Sequence, residues 1–229
     1  FIGTNDAKDM ALASNKLYTL AVVLIIYWLA TFISLKGLGW VSKVAKIGGL
    51  VGTIIPAALL IVLAIIYLAS GGVSQMNFDG RFFPDITKLD NLVLASGIFL
   101  FYAGMEMMGV HVMDVNNPSR NYPKAIIIGS LATVCIFVMG TFALGLIIPA
   151  KDINLTQSLL IGFDNYLKYF HMSWGGPVIA IALMFGVLAS VLTWVAGPSK
   201  GIFTVGKAGY LPPFFQKTNS NGVQRNILL

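Results

Sequence analysis

Residues 47–78 read IGGLVGTIIPAALLIVLAIIYLASGGVSQMNF, and no side chain in that stretch carries a charge. A helix needs about 20 mostly apolar residues to cross the hydrocarbon of a bilayer. Outward from this run the same gap recurs. Residues 17–35, 125–150 and 169–199 carry no charge, and 91–115 carry only Glu106 and Asp114. The chain of 229 residues is 57% hydrophobic and 10% charged, where ordinary soluble domains hold about 25% charge. A soluble domain does not hide that much apolar surface. Disordered chains are charged and poor in apolar residues, so disorder is excluded too. The pattern predicts an all-α membrane protein: one transmembrane unit over 1–229, with spans at 16–35, 40–69, 91–115, 123–148 and 174–205. Barrel strands would alternate over ten residues, and these runs are continuous. Residues 1–15 lack the basic start and short apolar core of a signal peptide.

The remaining residues exclude other classes. One cysteine, Cys135, two histidines and one glutamate leave no disulfide framework and no metal cluster, so no cofactor is expected. The net charge of +6 has no folded polar face on which to meet nucleic acid. No GxSxG, HExxH or Walker pattern occurs, so no enzyme is read here. Charge also sets orientation. The segment before the first span and the loops after the second and fourth balance to −1, while the stretches 36–46, 114–124 and 200–225 balance to +8. Lys and Arg stay inside, so the second set is cytoplasmic. A chain that opens outside, ends inside and turns apolar again at 223–229 reads as the middle of a longer polytopic protein.

Gly48 and Gly52 form a GxxxG pair, which lets helices approach closely. Pro56 predicts a kink in the second span, and Gly197-Pro198 predicts a bend near the cytoplasmic face. Residues 153–170 carry Leu155, Leu159, Phe163, Tyr166, Leu167 and Phe170 at helical spacing. They read as an external amphipathic helix, lying on the membrane surface or capping an entry path. The sequon at 154–156 is a three-residue match and is taken as chance.

The third span is the informative one. Glu106 is the only glutamate, and it sits inside a membrane helix, where an ionisable group is costly unless paired, protonated or near water. Ala103, Gly104 and Gly109 surround it, and glycine permits unwinding. Freed backbone groups are tolerated at that depth only where they face protein or a cavity. At about 1.5 Å per residue, Phe101, Tyr102, Ala103 and Gly104 lie about 15–20 Å in from residue 91, near the bilayer centre. Transporters build sites there from broken helices. The plainer alternatives stay open: Glu106 as a protonated structural carboxyl, Phe101 and Tyr102 as packing, His111 as an interface residue. Pro118 disfavours helix at Asn117, so the span should end there. Pro123 suits the first turn of the next helix. Arg120 is read as holding the tight cytoplasmic turn, a hinge with Pro118.

Tyr102-x-Gly104-x-Glu106 followed by Asn117-Pro118-x-Arg120-x-x-Pro123-x-Ala125 resembles the sixth-helix signature of the amino acid–polyamine–organocation superfamily. Phe82-Phe83-Pro84-Asp85, Ile148-Pro149, Ile153-Asn154-Leu155, Gly186-Val187-Leu188-Ala189, Gly197-Pro198-Ser199-Lys200-Gly201 and Asn219-x-Asn221-Gly222-Val223 resemble the bacterial glutamate/γ-aminobutyrate antiporter family. The resemblance implies helices four to eight of a twelve-helix carrier with a core of two inverted five-helix repeats. It implies a multi-pass protein of the bacterial inner membrane that exchanges an acidic amino acid for its decarboxylated product. It places substrate at Phe101, Tyr102, Ala103 and Gly104, with Glu106 linking the site to the intracellular gate. Asp114 stands at a position more often glutamate in the family, Leu100 where some members carry a substrate-stacking aromatic, and Gly52 in a region where some proton-coupled relatives carry lysine. A proton-coupled symporter and a non-transporting membrane subunit are the alternatives. The partners expected are amino acid substrates and the lipid bilayer, with association into a homo-oligomer left open.

Overall fold

The computed structural model describes residues 15–76, 87–102, 104–153 and 157–229, without the side chains at 90, 94, 98–102, 105, 106 and 108. The motif at 82–85, the sequon at 154–156 and Ala103 lie outside the described residues. Helix α1 spans Lys16–Leu35 and α2 spans Leu38–Ala69. Helix α3 (Leu89–Tyr102) leads to a 3-10 segment, Met105–Asp114. Then come α4 (Pro118–Ile147), α5 (Ser158–Tyr169), α6 (Gly175–Val205) and the short α7 (Arg225–Leu228). Among the described residues four helices are long and apolar enough to cross a bilayer: α1, α2, α4, and α6 with the π turn that extends it to Tyr210. The third apolar stretch, expected as one span over 91–115, is instead split between α3 and the 3-10 segment.

Local chemistry explains the boundaries. Asn15 caps α1, its side-chain oxygen accepting from the N–H groups of Leu17 at 3.0 Å and Tyr18 at 3.3 Å. In α2 the kink expected at Pro56 takes the form of a π turn, Leu50–Ile54. Pro56 has no N–H to offer the carbonyl four residues back. Just before it the N–H of Ile55 donates to Leu50, five residues back, so the turn widens to absorb the proline. Helix α4 starts at Pro118, ahead of the expected 123. Asn117 is left-handed at φ 51°, a conformation asparagine tolerates, and Pro118 has the fixed φ suited to a first helical position. Pro123 is carried inside the helix. Helix α6 likewise runs on through Gly197-Pro198.

Helix α6 is the element the others lean on. A Cβ on Gly52 would run into the backbone of Gly186, and one on Gly48 would stand 2.5 Å from the Ala189 Cβ and the Phe185 carbonyl. The GxxxG pair of α2 is therefore a packing surface for α6. Ala30, Val41, Leu192 and Ala196 close a core shared by α1, α2 and α6. At the other end of the bundle Leu60, Leu63 and Tyr67 pack with Ala143, Phe163, Tyr166 and Leu167. This docks α5, shorter than the expected 153–170, into the bundle rather than flat on its surface. Tyr166 is fully buried and donates its hydroxyl to the Ala143 carbonyl at 2.5 Å. Its ring meets that of Tyr67 edge-on at 5.6 Å. Burial, with a smaller contribution from Tyr67, pushes the Tyr166 phenol up to about 12.

Candidate functional site

The helical geometry of the third apolar stretch fails at Gly104, where φ is +112° and ψ −12°. Only glycine takes such a backbone cheaply. The break falls inside the 101–104 window expected from the sequence. Phe101 and Tyr102 form the last turn of α3, and Glu106 lies in the first turn of the 3-10 segment; the side chains of all three are outside the described residues.

Beyond the break the chain runs beside α6 in matched register. A Cβ on Gly104 would lie 3.2 Å from Cζ2 of Trp194. One on Gly197 would lie 3.3 Å from Cε of Met107, and one on Gly201 would lie 3.5 Å from Cγ1 of Val110. Positions 104, 107 and 110 fall on one edge because a 3-10 helix repeats every three residues. Positions 194, 197 and 201 share one face of an α-helix. The two glycines of α6 make the groove, and the Trp194 indole stands at the break itself. None of these three contacts is visible in sequence, since each joins residues far apart in the chain.

The row ends in charge. Lys200 of α6 donates from Nζ to Oδ2 of Asp114, the last residue of the 3-10 segment. His111 Nδ1 lies 3.2 Å from the same oxygen and 3.4 Å from the Lys200 nitrogen. The spacing of His111 and Asp114 was the available signal for this cluster. On the far side of the segment, the Tyr122 hydroxyl of α4 approaches Gly109. The turn into α4 is tied by residues other than the predicted hinge side chain. Asn121 Nδ2 donates to the Asn116 carbonyl at 2.6 Å, and the N–H groups of Arg120 and Asn121 donate to Asn117 at 3.0 and 2.9 Å. Pro118 begins the helix, and the Arg120 side chain is exposed.

The end of the bundle that holds Leu35 is pinned by the loop after α6. Asn219 Nδ2 donates to the Leu35 carbonyl at the end of α1 at 2.7 Å, and Asn221 adds a second bond at 3.3 Å. Asn219 Oδ1 accepts from the N–H groups of Asn221 and Val223, which fixes the loop. The resemblance at 219–223 thus falls on a structural clamp.

A helix broken at a glycine in an apolar stretch and backed by an unbroken neighbour is an arrangement that many transporters use. The chain belongs to the amino acid permease family, whose profile matches residues 4–229. It is 32% identical over 218 residues to an uncharacterised transporter of Legionella pneumophila, covering 95% of this chain and 47% of that protein. It is 34% identical over 216 residues to a glutamate/γ-aminobutyrate antiporter of Lactococcus lactis, covering 93% of this chain and 43% of the relative. A probable agmatine/putrescine antiporter of the same species is 25% identical over 209 residues, 90% of this chain and 44% of its own. The chain thus spans a little under half the length of these relatives. With its apolar helices, this membership makes it a multi-pass protein of the bacterial inner membrane.

Proposed function

We propose that the chain is part of an amino acid antiporter that exchanges an acidic amino acid such as glutamate for its decarboxylated product such as γ-aminobutyrate, by alternating access. The observation that carries this reading is the break at Gly104 in an apolar stretch, packed against α6. The similarity to the Lactococcus antiporter supplies the substrate pair. In this reading the substrate α-amino group meets backbone carbonyls around Phe101, Tyr102, Ala103 and Gly104. Glu106 is the proton-linked gate, its charged form disfavoured in hydrocarbon unless water or a partner reaches it. Pro118 and Arg120 mark the hinge between the 3-10 segment and α4.

Counterflow in proteoliposomes of the full-length protein tests it. Radiolabelled glutamate should enter only when the vesicles hold glutamate or γ-aminobutyrate. Uptake that persists into empty vesicles would select a proton-coupled symporter. Absence of both uptake and any substrate-induced thermal shift would select a non-transporting subunit.

A further inference from the structure

The His111–Asp114–Lys200 cluster opens onto a cavity of about 220 Å³ whose wall also holds Ser34, Ser199 and Gln224. That is below the roughly 300–1,000 Å³ of drug-sized sites and on the scale of a free amino acid. We propose that this cavity is a second binding station, on the cytoplasmic side of the break, for the zwitterion being exchanged: Lys200 takes its carboxylate and Asp114 its ammonium. The proposal rests on the transport reading above.

Four observations lead there. The ion pair is open to the cavity, its lysine and aspartate side chains 29% and 35% exposed. Such a pair contributes little to folding and parts readily. A ligand carrying both charges offers each partner what it gives up. The Lys200 ammonium and the His111 ring both reach one oxygen of Asp114, Oδ2, and among the described residues no hydrogen bond reaches Oδ1. His111 belongs to the same segment as Asp114, so it holds the carboxylate in place when Lys200 swings away. Third, the Ser34 hydroxyl is buried in the wall with no partner among the described residues, and a buried hydroxyl is costly until something bonds it.

The fourth observation is the setting. Ser199 and Gln224 are bonded to each other at 3.0 Å, so they form a fixed floor rather than competing for the ligand. Asp114 ends the segment that begins at the break, and ten residues at about 2.0 Å each put the station about 20 Å inward of Gly104. A solute released from the break toward the cytoplasm meets this pair along the segment.

The test uses the full-length protein in proteoliposomes of known sidedness, with radiolabelled glutamate and γ-aminobutyrate as probes. KM is measured separately for the cytoplasmic and the external face. Asp114→Asn and Lys200→Gln should each raise the cytoplasmic KM about tenfold, the scale of one lost charged hydrogen bond, with the external KM unmoved. Ser34→Ala should raise it about threefold. Equal shifts on both faces, or an unchanged cytoplasmic KM, would overturn the station and leave a structural ion pair. If the charge variants do not fold, Ser34→Ala decides alone, and a wild-type cytoplasmic KM in it overturns the proposal. Wild-type protein silent toward both probes would overturn the transport reading itself, and the station with it.

Discussion

Gly104 carries the break on a backbone that an L side chain rarely adopts. Alanine there costs about 1–2 kcal/mol in conformation, and its methyl would press on the Trp194 ring. Gly104→Ala is expected to fold yet slow exchange at least about tenfold, the factor that about 1.4 kcal/mol represents; counterflow beside thermal unfolding checks both halves. Tyr166 offers a stability test. Tyr166→Phe removes a buried hydroxyl and its bond to Ala143, worth about 1 kcal/mol. The folded phenol holds its proton to about 12, against 10.0 in an ordinary tyrosine. Its contribution is therefore complete below about 10 and fades as pH rises toward 12. The gap in melting temperature between wild type and Tyr166→Phe should be constant up to about pH 9 and close above it. At this scale the break at Gly104 was legible, because a glycine deep in an apolar run is visible without coordinates. Trp194 and Lys200 were not, because their partners sit about ninety positions earlier in the chain and only tertiary register brings them together.

Among the elements, α2 and α6 make the closest approach described. A Cβ on Gly52 meets backbone that cannot turn aside, while one on Gly49 meets nothing within 4 Å. Gly52→Ala should therefore destabilise by about 1–3 kcal/mol. Gly49→Ala should be neutral or gain up to about 1 kcal/mol from its better helix propensity. Thermal unfolding of the two in one detergent separates packing from propensity. The places of four long apolar helices could be read from charge gaps, because a long uncharged run has few alternatives to a membrane helix. Helix type could not. Residues 105–114 have no sequence mark that distinguishes a 3-10 repeat from an α repeat, and the π turn before Pro56 was foreseen only as a kink. The start of α4 was misplaced because two prolines suited a first turn. The left-handed Asn117, which decides for Pro118, depends on a turn that Asn121 completes.

For the whole molecule, charge asymmetry predicts sidedness. Cysteines placed at Ser42 and Gln75 should label from opposite faces of intact cells, Ser42 from the cytoplasm; labelling of both from outside would reverse or break the assignment. Within α4 the most apolar 18-residue window is 0% buried, so that helix offers its side chains to lipid or to other parts of the protein. The bundle's own contacts converge on α6, which makes it the frame against which the 3-10 segment is set. That segment's winding is also a length. Ten residues span about 20 Å as a 3-10 helix and about 15 Å as an α-helix. Rewinding would draw Asp114 about 5 Å toward Gly104 and swing its row of side chains off the α6 groove, since successive residues turn by 120° in one form and 100° in the other. A tightly wound strut held at one end by a glycine pivot and at the other by a separable ion pair is, mechanically, a spring with a catch.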